Sequence, residues 1–166
     1  MKKIALLTLT LFITTFTFAQ DGVLAYKAEA DGWLVDMNEA YEISKKTGKP
    51  IMANFTGSDW CGWCKKLKAE VFDQPEFKKW AKENVVLVEL DFPRRKVIPE
   101  DIKQQNAGLQ QAFKVTGYPT IWVFNMGKDA KTNQYTIEAL GKTGYVKGVA
   151  AFTGGVDAMI EKAAAN

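Results

Sequence analysis

Cys61 and Cys64, the only cysteines in the chain, stand three positions apart between a stretch that reads as a strand and one that reads as a helix. In a chain of this length, two cysteines placed at random take this spacing about one time in eighty. A bridge between them closes a four-residue loop and constrains the unfolded chain little, so the pair is poorly placed to stabilise a fold. A strand that hands directly to a helix puts Cys61 at the helix N-terminus, where free backbone N–H groups and the helix dipole favour a thiolate. Cys64 follows almost one turn later, within reach of a mixed disulfide formed at Cys61. The first cysteine is expected to be exposed and the second shielded. The residues alone leave two other readings open: a Cu(I)-binding dithiol and a pair of inert buried cysteines.

The rest of the composition narrows the chemistry. The chain of 166 residues contains no histidine, which excludes a Cys–His protease, a Ser–His–Asp hydrolase and a Cys/His zinc site. A net charge of +3, spread over lysines along the whole length, is too weak and dispersed to argue for nucleic acid. Residues 1–19 read as a signal peptide, with Lys2 and Lys3 ahead of an apolar stretch and Thr17-Phe18-Ala19 before the cut. An uncleaved anchor is the alternative, although the apolar part is short and threonine-rich for a bilayer span. The mature chain, residues 20–166, is expected to carry no membrane span, to be a monomer, and to be exported, to a bacterial periplasm or beyond the cell. Disulfides form in such places.

Periodicity divides the mature chain into a helical extension, about residues 31–48, and a core, about 49–166. A helix is expected over 33–46, with Thr47-Gly48-Lys49-Pro50 ending it. Strand 51–56 follows, then a turn in which Ser58 or Asp59 is a candidate helix cap. Helices are expected over 61–71 and 74–83, the second opened by Pro75. Residues 85–91 read as a central strand covered on both faces, because the run shows little alternation. A basic loop over 93–99 leads to a helix over 100–113. Strands over 120–125 and 134–139 flank a turn at Met126-Gly127-Lys128, and a helix over 154–165 closes the chain. Strands separated by helices imply parallel crossovers, and the last pair implies a hairpin. The fold class is α/β, with a central mixed β-sheet covered by helices on both faces.

Trp60-Cys61-Gly62-Trp63-Cys64-Lys65 after a strand, with Gly117-Tyr118-Pro119-Thr120 and Ile121-Trp-Val-Phe124 later, resembles the thioredoxin superfamily. The segment Phe55 to Lys66, with Glu70-Val-Phe72, is similar to exported single-domain members and to the C-terminal domain of the transmembrane disulfide reductase. The resemblance implies the thioredoxin fold and a thiol–disulfide oxidoreductase. In it Cys61 attacks, Cys64 resolves, and a cis proline at Pro119 faces the disulfide. On the residues alone a trans turn proline is the commoner form. A cis bond would leave the backbone of Tyr118 free to pair with an extended peptide. The expected substrate-binding residues are Trp60, Gly62, Trp63, Tyr118 and Pro119, with packing beneath the site as the alternative for Trp60. No organic cofactor or metal is implied; the Cys61–Cys64 pair carries the electrons. The partners are protein disulfide substrates and a redox protein that recycles the dithiol. Disulfide oxidase or isomerase activity is the alternative direction.

Three departures stand out. Thioredoxin has proline where this chain has Trp63, so its reduction potential does not carry over. Thioredoxin also keeps a buried aspartate on the strand before the motif; here that strand offers Asn54, with one extra residue before Trp60. An amide cannot take the proton of the second cysteine. Asp59, Lys65 or water does so, or the step is slower. The segment 93–113 is longer than in a minimal thioredoxin; it either shapes partner choice or extends the core.

Overall fold

Met37, rather than Trp33, begins the first helix of the computed structural model, with Asp36 as its cap; the structure describes residues 26–132 and 134–165. The expected signal sequence, residues 1–19, lies outside the described residues. The Asp36 carboxylate accepts the backbone N–H groups of Asn38 (2.6 Å) and Glu39 (3.2 Å), satisfying donors that a helix start leaves free. Helix α1, Met37–Thr47, ends at Gly48 (φ 71°), whose left-handed backbone suits glycine and closes on the Ser44 carbonyl. The expected helix started four residues too early because Leu34 is apolar for another reason. It bridges to Val88, and Leu34 N–H to Leu87 O (2.9 Å) and Glu89 N–H to Leu34 O (2.8 Å) tie it to the sheet.

The sheet has the order β2-β1-β3-β4. Strand β1, Ile51–Thr56, lies where expected and is buried throughout. Strand β2, Val86–Asp91, runs parallel to it, placing Asn54 beside Glu89 and Thr56 beside Asp91. The expectation that β2 is central is not met: it is an edge strand. It reads as central because the Leu34 bridge covers its outer side. Strand β3, Thr120–Lys128, runs antiparallel to β1, so only the β1-to-β2 crossover is parallel. It absorbs Met126–Lys128, expected as a turn, and pairs as a hairpin with β4, Tyr135–Thr143.

Helices cover both faces. Helix α2, Gly62–Leu67, passes into a π-helical turn, Lys68–Phe72, and then α3, Pro75–Asn84, with Pro75 in its first turn. The one regular helix expected over 61–71 is thus two pieces. Leu67, Val71 and Phe72 from this break pack with Met52, Leu87, Ile121, Phe77 and Phe152. Phe152 comes from α5, Val149–Ala164, which starts five residues before the expected position. On the opposite face, Met37 and Ala40 of α1 pack on Ile51, Ala53, Phe55, Val88, Leu90 and Phe124. Helix α4, Glu100–Ala112, lies on this side too, with Phe113 at its end in the same cluster. The fold is the expected α/β one, a mixed sheet between helical layers. Among the described residues, no helix is long and apolar enough to cross a membrane.

Candidate active site

Strand β1 delivers the chain to Gly57, whose carbonyl accepts the N–H groups of Trp60 (3.1 Å) and Cys61 (2.8 Å). This turn sets Cys61 as the N-cap of α2. Its Sγ accepts the backbone N–H of Cys64 at 3.2 Å. Cys61 and Cys64 are joined by a disulfide, with their Cα atoms 5.3 Å apart. Neither Ser58 nor Asp59 caps the helix, because both side chains are engaged elsewhere. Ser58 donates its hydroxyl to Asp91 (2.5 Å), and the Asp59 carboxylate accepts the N–H groups of Arg94 (3.0 Å), Arg95 (2.6 Å) and Lys96 (3.1 Å). Those three donors hold the Asp59 carboxyl below its ordinary range. Lys65 donates to the Asp59 carbonyl at 3.0 Å.

Cys61 is only 6% exposed and Cys64 5%, so the expected contrast between an open and a shielded cysteine is absent. In the bonded state each sulfur is covered in part by the other. Trp63, between them, is 57% exposed, and Gly62 is exposed as well. The Trp63 ring lies 5.0 Å from that of Tyr145, and the Lys66 ammonium sits 5.1 Å and 5.4 Å from the two centroids. Tyr145 donates its hydroxyl to Glu70, and this bond, more than burial, raises the phenol's pKa. The sequence reading did not single out Tyr145, which stands in a loop far from the cysteines in the chain.

Trp60 is half-buried and serves as a wall. Its indole N–H donates to the Phe92 carbonyl (2.8 Å), its ring meets Tyr118 edge-on at 5.8 Å, and the Arg94 guanidinium lies 3.8 Å from its centroid. Gly57 permits this: a Cβ there would lie 2.5 to 2.8 Å from indole atoms. The Tyr118–Pro119 bond is cis, as the resemblance implied. Tyr118 accepts a bond from Gln110 (2.5 Å) and stacks on Phe92 at 5.2 Å.

Behind Cys64 a narrow cavity of about 30 Å³ opens, lined by Asn54, Thr56, Ser58, Cys64, Lys68 and Glu89 among others. Burial first, and the nearby charge of Asp91 second, push the Glu89 carboxyl up to about 7, against the opposing pull of Lys68. Asn54 is buried, and its Oδ1 has no hydrogen-bond partner among the described residues. The sequence reading also passed over Glu89; the signal was an acid set inside the apolar run 85–91.

The profile of the family described as Thioredoxin-like domain matches residues 37–138. The chain belongs to this family. Among thioredoxin-like proteins it is 40% identical over 111 residues to the disulfide bond reductase DsbH of Chlamydia pneumoniae, across 67% of this chain and 66% of that protein. It is 34% identical over 119 residues to the thioredoxin-related protein DsbJ of the same organism, across 72% of this chain but 33% of that one. The matches thus span just under two thirds and one third of these curated relatives. A solved structure of a DsbH oxidoreductase superposes with a TM-score of 0.67 at 32% identity, covering 93% of this chain and 95% of that one. A thioredoxin from Thermus thermophilus, 17% identical with a TM-score of 0.51, shares the fold over 76% of this chain and 82% of its own. Within the thioredoxin-like family the departures noted from sequence keep their places in space. Trp63 occupies the outer surface between the cysteines, and Asn54 faces the cavity behind them.

Proposed function

We propose that the chain is an exported thiol–disulfide oxidoreductase that reduces or exchanges protein disulfides through Cys61 and Cys64. The observation that carries this reading is the pairing of Cys61 with a helix start, where the Cys64 N–H points at its sulfur (3.2 Å). The same N–H favours a thiolate once the bond is reduced. Cys61 thiolate attacks one sulfur of a substrate disulfide. A Cys61–substrate bond forms, and the other substrate sulfur leaves as thiolate. Cys64 then attacks Cys61 Sγ, the intramolecular disulfide forms, and the second substrate sulfur leaves. The substrate gains two electrons and the cysteine pair loses them; a redox partner returns them. No further cofactor enters the cycle.

Substrate is held, on this reading, by Trp60, Gly62, Trp63, Tyr118 and Pro119. Their support is position: Trp63 and Gly62 stand exposed over the disulfide, and Trp60 packs against Tyr118 beside it. The working unit is residues 20–166, a monomer without a membrane span, released from the leader 1–19 into the periplasm. The charged start and apolar middle of that leader support export. The naming of one relative as a disulfide bond reductase supports the direction.

Insulin reduction by the purified mature chain tests the activity, and Cys64→Ser tests the order of attack. This variant accumulates mixed disulfides through Cys61; a protein that captures none overturns the reading. A redox titration against glutathione tests direction. A potential well below the glutathione couple supports reduction, and one near the strongly oxidising family members overturns it.

A further inference from the structure

We propose that Glu89, reaching the cavity behind Cys64 from the neighbouring strand, is the base that takes the Cys64 proton during resolution. The inference rests on the roles proposed above for the two cysteines. Three observations carry it. First, Asn54 holds the place on β1 that faces the second cysteine, and an amide cannot accept that proton. Second, the parallel register sets Glu89 directly beside Asn54, so both side chains leave the sheet on the face that carries α2. Third, Glu89, Asn54 and Cys64 line one cavity, and its volume of about 30 Å³ is room enough for one water molecule.

The other candidates are committed. The Asp59 carboxylate is bonded to the N–H groups of Arg94, Arg95 and Lys96, and those bonds favour its charged form. Lys65 donates to a backbone carbonyl. Asp91 accepts both the N–H (2.8 Å) and the hydroxyl (2.5 Å) of Ser58. The charged and titratable groups around Glu89 come from every packed element. Asp91 lies two residues on in β2, Lys68 in the π-helical turn, Lys65 in α2, and Tyr26 and Glu29 in the segment before α1. Lys68 is shared with Asp73 (2.6 Å), and Glu29 is paired with Lys96. Glu89 is thus a carboxyl poised to change charge near neutral pH, as a general base must be.

The step balances. Cys64 Sγ–H gives its proton to Glu89, directly or through one water. The Cys64 sulfur bonds to Cys61 Sγ, the Cys61–substrate bond breaks, and the substrate sulfur departs as thiolate. The carboxylate becomes a carboxylic acid, so net charge is unchanged. Glu89 releases the proton when the disulfide is complete.

Stopped-flow mixing of the reduced protein with a nitrobenzoate disulfide separates the two attacks, because each releases one coloured thiolate. The first phase reads Cys61 and the second reads Cys64. In the wild type the second phase is expected to rise with pH through an inflection near neutrality. Glu89→Gln is expected to slow that phase by about tenfold or more at pH 7 and to move its inflection to the higher pH of the thiol itself, leaving the first phase unchanged. Glu89→Asp is expected to restore part of the rate and the original inflection, and it serves as the folding control. An unchanged second phase in Glu89→Gln, equal slowing of both phases, or no recovery in Glu89→Asp overturns the inference. Failure of the wild type to release the first thiolate overturns the proposed function instead.

Discussion

Strands β1 and β2 build two faces from alternate residues, and the faces differ in kind. Toward α1 and α4 they present Ile51, Ala53, Phe55, Val86, Val88 and Leu90, all apolar and packed in one cluster. Toward α2 they present Met52 and Leu87, then Asn54 and Glu89, then Thr56 and Asp91. Every one of these side chains is buried, yet polarity grows along the second face toward the disulfide. Burying such groups costs stability unless they are paired, and Asn54 Oδ1 has no partner among the described residues. One side of the sheet is organised for cohesion, the other gathers buried polar groups behind the cysteine pair.

That contrast can be broken from either side. Phe55→Ala empties the apolar face and should lower stability by about 3–5 kcal/mol in urea unfolding, with activity per folded molecule unchanged. Loss of activity without loss of stability would erase the division of labour. The polar face should show itself through pH. Burial pushes the Glu89 carboxyl up to about 7 from 4.5 for the free group, so between these values the folded protein holds a proton the unfolded chain has lost. The contribution of Glu89 to stability should therefore be fully present below about pH 4.5 and lost as pH rises through about 7, a change of up to about 3 kcal/mol, and Glu89→Gln should remove that part of the pH dependence. Gly57→Ala tests the hinge between strand and motif. Its methyl would meet the Trp60 indole, and a loss of about 1–3 kcal/mol with altered tryptophan fluorescence is expected. Trp63→Ala should change stability by no more than about 0.5 kcal/mol while raising KM for protein disulfides, since the ring is 57% exposed.

Both faces were legible in the sequence to different degrees. The apolar run 51–56 and the cysteine spacing located β1 and the site because each signal is local. Capping was misjudged because it depends on where side chains of distant loops turn: Asp59 serves residues 94–96, and Ser58 serves Asp91. The central reading of β2 failed for the same reason, since a residue outside the sheet, Leu34, supplied the missing neighbour. Glu89 was in plain view between Val88 and Leu90, but only the register with Asn54 shows that it shares a face with the cysteines. Tyr145 needed the third dimension entirely, as its ring meets Trp63 from a loop nearly half the chain away.

The bridge from Leu34 to Val88 reaches beyond topology. An open row of backbone donors and acceptors on a flat, apolar ribbon invites a second molecule to add its own ribbon. Here Leu34, ahead of the first helix, occupies part of that row with two hydrogen bonds, so cover for this edge comes from a residue that belongs to none of the regular elements. Proteolytic trimming past Val35 would strip that cover and open the β2 edge to pairing with a second ribbon, while leaving the cysteine pair untouched.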